Sequence, residues 1–129
     1  MKFADMPDIQ DIESLNAFYK KLLDQVPDLI FKMVWHADDV YSVTYASESV
    51  NDIYELTVAE FTGHTHSFFR ERVMPDDVTG FLKSLTYSRK TLTNWNHEFR
   101  VVLPKKGLRY MRLNAKPELQ HDGTINYYG

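Results

Sequence analysis

Ile12, Leu15, Tyr19, Leu22 and Val26 recur at alternating steps of three and four residues, the a/d spacing of one helix face. Aspartate and lysine take the other faces, and Pro27 stops the pattern, so an amphipathic helix is predicted over Asp8–Gln25. Its seam packs either on the helix's own domain or on a second copy, because under three heptads is marginal alone. Residues 29–36 are apolar apart from Lys32 and His36 and read as a strand buried on both faces. After an Ala37-Asp38-Asp39 turn, residues 40–46 alternate, with Tyr41, Val43 and Tyr45 on one side and Ser42, Thr44 and Ala46 on the other.

The period then changes. Ser47–Tyr54 reads as a short helix, and Thr57 with Glu60 forms a capping box for a second, closed by Gly63. Pro75 opens a longer helix to about Lys90, with Asp76 or Asp77 as cap and Val78, Phe81, Leu82 and Leu85 as its apolar stripe. Asn94–Leu103 alternates cleanly, Pro104–Gly107 turns, and Leu108–Leu119 returns. A second turn at Gln120–Gly123 leads to a last strand from Thr124. A helix, two strands, short helices and three antiparallel strands make an α+β plan with the helices on one face of the sheet.

Composition narrows the function. At 129 residues with 43% hydrophobic positions and a formal charge of −3, the chain is one domain with a real core, and the balance disfavours a nucleic-acid backbone as partner. With no cysteine there is no disulfide, thiolate metal site or thiol nucleophile. No apolar run is long enough to span a bilayer and the N-terminus lacks a signal-peptide core, so the expectation is a cytoplasmic protein, or a piece of a larger one, with no direct membrane insertion. Enzyme signatures (G-x-S-x-G, a phosphate loop, H-E-x-x-H) are missing, and Asp38-Asp39 and Asp76-Asp77 read as turn and cap residues. The chain is therefore read as non-enzymatic, with no catalytic residues and no metal site. His64 and His66 form an H-x-H pair with no third ligand nearby, so a chelate and a plain loop both stay open.

Several strings in order resemble the PAS domain family. Tyr45-Ala46-Ser47-Glu48-Ser49 resembles its second strand entering the first short helix, and Leu56–Gly63 resembles its "lT.eElig" segment. Val73-Met74-Pro75-Asp76-Asp77 resembles "vHPdD", Trp95–Arg100 resembles "w..EyR", Lys105-Lys106-Gly107 resembles "kdG", and Asn126–Gly129 resembles "..y.G". The resemblance implies a PAS fold over 27–129, a five-stranded antiparallel sheet with short helices on one face, preceded by an N-terminal amphipathic helix or linker over 1–26. It implies a sensory module that binds a small metabolite and relays to an effector of the histidine kinase or diguanylate cyclase type. That effector would lie in a C-terminal domain outside this chain. The alternative is a ligand-free module whose task is dimerisation. A homodimer through the N-terminal helix and the outer sheet face is expected in either case.

The resemblance also bears on ligands. The reactive cysteine of the flavin-binding branch is replaced within Thr65-His66-Ser67-Phe68-Phe69, and Asp76–Lys90 carries no histidine for haem, so no cofactor is expected. Aligned on Gly107, Val102 and Arg112 match positions that touch the flavin ring in the light-sensing branch. The face of Glu98, Arg100, Val102, Tyr110, Arg112 and Asn114 is accordingly expected to look into the pocket. The face of Trp95, His97, Phe99, Val101, Leu103, Met111, Leu113 and Ala115 would then look outward. The candidate ligand-binding residues are His66, Phe69, Phe81, Leu85, Arg100, Val102, Tyr110, Arg112 and Asn114. Arg112 has two readings: an ion pair with Glu98 inside the domain, or an anchor for a carboxylate or phosphate.

Overall fold

The alternating segments assemble into one antiparallel sheet in the computed structural model, which describes residues 12–36, 40–62 and 71–129. The elements are α1 (Ile12–Asp24), β1 (Phe31–Trp35), β2 (Tyr41–Ala46), α2 (Val50–Ile53), α3 (Val58–Thr62), α4 (Pro75–Thr91), β3 (Trp95–Leu103), β4 (Gly107–Leu119) and β5 (Ile125–Tyr128). The strand order is β2-β1-β5-β4-β3, so β5 enters the centre of the sheet last and joins two hairpins. The first hairpin's turn, residues 37–39, lies outside the described residues, as do Gly63 and the His64/His66 pair.

The β3–β4 hairpin runs unbroken from Trp95 opposite Ala115 to Leu103 opposite Gly107. Gly107 makes the turn possible with φ +73°, a region that side-chain-bearing residues rarely enter. The β1–β2 hairpin is less regular. Its register shifts between Lys32 and Met33, so Thr44 has no opposite number. That bulge breaks the alternation: Tyr41, Val43 and Ala46 are buried, while Tyr45 turns to the other face. The simple period-two reading had placed Tyr45 with Tyr41 and Val43.

The two faces of β3–β4 are the reverse of the expected assignment. Trp95, Phe99, Val101, Leu103, Leu113 and Ala115 are buried against the helices, whereas Glu98, Val102, Tyr110, Arg112 and Asn114 are exposed. The physical reason is direct. The α4 stripe of Phe81 and Leu85 needs an apolar surface, and Phe81 meets Trp95 edge-on at 5.2 Å and Phe99 at 5.1 Å. Hydrophobic burial outweighs any alignment-based parity, because only one face of this hairpin is apolar.

Two polar side chains enclosed by this packing, Trp95 and Ser88, find partners. Trp95 donates its indole N–H to Ser84 Oγ (2.8 Å). Ser88, 1% exposed, donates to the Thr93 carbonyl (2.6 Å) and so accepts from the Tyr127 hydroxyl (2.9 Å), which fastens α4 to the central strand. The Thr57–Glu60 capping box forms as expected: Glu60 N–H donates to Thr57 Oγ1 (3.0 Å) and Thr57 N–H to Glu60 Oε1 (2.9 Å). The α4 start differs from expectation. Met74 is the N-cap residue, and neither Asp76 nor Asp77 caps the helix.

The helix α1 covers no apolar sheet surface. None of its residues is buried, and Ile12, Phe18, Tyr19 and Leu22 are exposed. Polar contacts hold its C-terminal end: Lys20 pairs with Glu48 at 3.2 Å, and Glu48 N–H donates to Asp24 Oδ1 (3.4 Å).

Candidate functional site

The packing leaves a cavity of about 730 Å³ between the sheet and the short helices. Its inner wall is apolar and aromatic: Met33 and Val43 come from β1 and β2, Phe61 from α3, Phe81 from α4, Trp95 and Leu103 from β3, and Leu113 from β4. Tyr54, which follows α2, is 4% exposed, and burial pushes its hydroxyl pKa upward, so the ring stays neutral at any physiological pH. A volume of this order with a few polar groups at the rim suits a small organic molecule.

The mouth opens between β1 and β4. Here β5, four residues long, pairs with β4 only over Lys116–Leu119, while β4 runs for 13 residues. Pro27–Phe31 line one side of the resulting slit and Arg109–Asn114 the other. Gly129 stands at its end, bonded to Phe31 through both backbone groups (2.8 and 3.0 Å). A Cβ there would fall 2.7 Å from the Phe31 ring and 2.8 Å from the Asn114 carbonyl oxygen, so only glycine fits.

A polar latch closes the neighbouring corner. The Glu55 carboxylate accepts the backbone N–H groups of Lys105 and Lys106 at the β3–β4 turn (both 2.9 Å). The Lys106 ammonium donates to Asp52 Oδ1 (3.0 Å). Burial alone would raise the Glu55 carboxyl, but the two backbone donors outweigh it and hold the pKa below its ordinary value. Arg72 donates to the Tyr54 carbonyl (3.2 Å), fixing the same segment, in which Glu55 takes φ +56°. The α2–α3 corner is thereby tied to the hairpin end across the cavity.

Of the candidate residues, the structure brings Phe81, Tyr110, Arg112 and Asn114 to the cavity lining, the last three at its mouth. Leu85 is buried in the core, and Val102 lies on the exposed face. Arg100 is engaged elsewhere. Its guanidinium donates to both Asp77 oxygens (2.9 and 2.6 Å), and its backbone N–H also reaches Asp77 (2.7 Å). Those three donors hold the Asp77 carboxyl at about 2. The β3 edge has free backbone groups, so Asp77 serves as its partner rather than as a helix cap. His66 and Phe69 lie outside the described residues.

Glu98 and Arg112 stand opposite each other in the β3–β4 register on the exposed face. The dry internal ion pair considered for them is therefore not formed. The residues the sequence reading missed are the inner wall itself, Met33, Tyr54, Phe61, Trp95, Leu103 and Leu113. For Trp95, Leu103 and Leu113 the signal is the apolar parity of β3 and β4, which the sequence reading turns to the wrong side; Met33, Tyr54 and Phe61, on β1 and the short-helix segment, carry no such signal.

A family model described as "PAS fold" matches residues 43–128. The chain is similar to the PAS domain of a protein from Colwellia psychrerythraea, with TM-score 0.64 and 14% identity over 92% of this chain and 96% of that one. It is similar to the N-terminal domain of a diguanylate cyclase with PAS/PAC sensor from Marinobacter aquaeolei, with TM-score 0.61 and 10% identity over 78% and 90%. A sensory box histidine kinase/response regulator from Burkholderia thailandensis gives TM-score 0.54 and 13% identity over 88% and 82%. No curated protein matches the chain.

Proposed function

This chain belongs to the PAS fold family, and on that premise we propose that it is a sensory module that binds a small molecule in its cavity and relays the change to an effector. The observation that carries this reading is the cavity of about 730 Å³, walled by apolar and aromatic residues and open at one slit. A domain whose task was only to fold or to pair would fill that space with its own side chains, since interiors pack densely. The histidine kinase and diguanylate cyclase contexts of similar structures support an effector of one of those types. The relay would run through the Glu55–hairpin latch, which joins the cavity wall to the sheet. A non-catalytic role fits this reading.

No coloured cofactor is part of the proposal. The chain has no cysteine for a flavin adduct, and α4 carries no histidine for haem. Native mass spectrometry of the purified protein should show a small added mass, or its melting temperature should rise with members of a metabolite panel, and the solution should be colourless. A clean mass together with an unmoved melting temperature across the panel would refute ligand sensing. A visible absorption band carried through purification would refute the cofactor reading.

The exposed seam of α1 favours a second role beside the first, pairing with a second copy. Ile12 is 65% and Leu22 48% exposed, on a face with no buried residue. Light scattering should show a dimer for the full chain and a folded monomer once residues 1–26 are deleted. A dimer that persists after the deletion would remove α1 from the interface.

A further inference from the structure

The slit between β1 and β4 gathers charges that the inner cavity does not have. Among the described residues five charged ones line the site, namely Asp28, Asp52, Lys106, Arg109 and Arg112. Lys106 and Asp52 neutralise each other at 3.0 Å. Among the side chains that leaves Arg109 and Arg112 against Asp28, two cations to one anion. Both arginines are exposed, and among the described residues neither has a carboxylate partner. Arg109 has the parity of Met111 and Leu113 on the inner side, whereas Arg112 has the parity of Tyr110 on the outer side. The two side chains thus leave β4 on opposite faces, and the Arg109 guanidinium donates to the Leu108 carbonyl (2.8 Å).

The edge itself adds donors. Arg100 spends its backbone groups on Asp77 and Met74, away from β4, so its opposite number Tyr110 also turns its backbone away from β3. By the same alternation Arg112 and Asn114 direct both their N–H and their C=O groups into the slit, so the arginines, not the backbone alone, set its preference for an anion. An anion there meets backbone N–H groups and two guanidinium forks, the donor set that suits carboxylate or phosphate. Deeper in, the wall offers aromatic rings and aliphatic side chains, where a buried charge would be costly.

We propose that the ligand of this cavity is an amphiphilic organic anion, with an apolar body lying against the half-buried Phe31, Ile53 and Met111 and a carboxylate or phosphate held at the β1–β4 mouth by Arg109 and Arg112. This rests on the reading of the cavity as a ligand site and specifies the chemical class. The apolar lining selects the body, and the mouth selects the charge.

The test uses the 129-residue chain and two probes of equal shape, 2-naphthoate and neutral 2-naphthamide, titrated by calorimetry. The naphthoate should bind at least about tenfold more tightly, the advantage expected of one charge-assisted contact. That advantage should shrink in high salt. Arg109→Gln with Arg112→Gln should erase it while leaving the amide's affinity unchanged; both side chains are exposed, so circular dichroism should report an intact fold. Asp28→Asn should tighten the naphthoate alone. Met111→Trp, at a half-buried lining position, should block both probes. Equal affinity for the two probes, lost in Met111→Trp, would overturn the anion class and leave the cavity reading standing. Binding that survives Met111→Trp would overturn the proposed placement. Failure of both probes to bind would overturn the proposal together with the ligand-site reading beneath it.

Discussion

Val101 and Val102 are the same residue type at adjacent positions of one strand, yet Val101 is 0% and Val102 49% exposed. Truncating each to alanine therefore measures which face of the β3–β4 hairpin meets the helices. Val→Ala at the closed site removes two buried carbons' worth of transfer free energy, about 1.6 kcal/mol at ~0.8 per carbon. The space left between β3, the Val73 bridge and the helix layer adds roughly 1 kcal/mol more, since such a site collapses only in part. At Val102 about half the transfer is at stake and no cavity forms, so the cost is about 0.8 kcal/mol or less. The loss of β-propensity is common to both and cancels in the comparison. The expected difference is about 1.5–2 kcal/mol. Urea unfolding followed by tryptophan fluorescence should separate the midpoints by about 1 M, taking a slope of roughly 1.5 kcal/mol per molar. Equal midpoints, or a costlier Val102→Ala, would show that the apolar face looks outward, and the cavity as described would be wrong.

Other consequences follow from single contacts. Asp77 has its carboxyl lowered from 3.8 to about 2 by Arg100, so its stabilising contribution is full above about pH 4 and is lost as pH falls through 2. Asp77→Asn should lower the urea midpoint at pH 7 and leave it nearly unchanged at pH 2; an equal loss at both would exclude the ion pair as the cause. Ser88→Ala strands the buried Tyr127 hydroxyl and should cost about 1–3 kcal/mol, with Tyr127→Phe recovering part of it in the double variant. A Ser88→Ala melt that matched the parent would show that the contact contributes nothing. Thr57→Ala removes the α3 cap and should cost about 1 kcal/mol, read as an earlier thermal midpoint.

Much of the fold was legible in the chain. The capping box at Thr57 and Glu60, the Pro75 helix start, the Gly107 turn and the strand alternation are local signals, each set by neighbours a few residues away. Predicted and observed elements accordingly agree closely in order and extent. The α4 stripe was legible for the same reason, since Phe81 and Leu85 fall on one helical face.

What the sequence by itself determined was therefore the list of elements, the α+β class and the apolar and polar faces of the β3–β4 hairpin. Which face turned inward was decided only by the tertiary structure. Alternation defines two sides of a strand but does not name them; that follows from what packs on top, here the rings of Phe81 against Trp95 and Phe99. The Thr44 bulge was equally invisible, because an unpaired residue exists only relative to a partner strand, and it moved Tyr45 across the sheet. Asp77 had a helix cap available locally and instead bound Arg100, 23 positions away, because the β3 edge offered a backbone N–H and a guanidinium together. Of the mouth, Tyr110, Arg112 and Asn114 were named from the sequence and Arg109 was not. Arg109 and Arg112 have opposite parity on one strand, and they share a site only because the short β5 leaves the edge between them open.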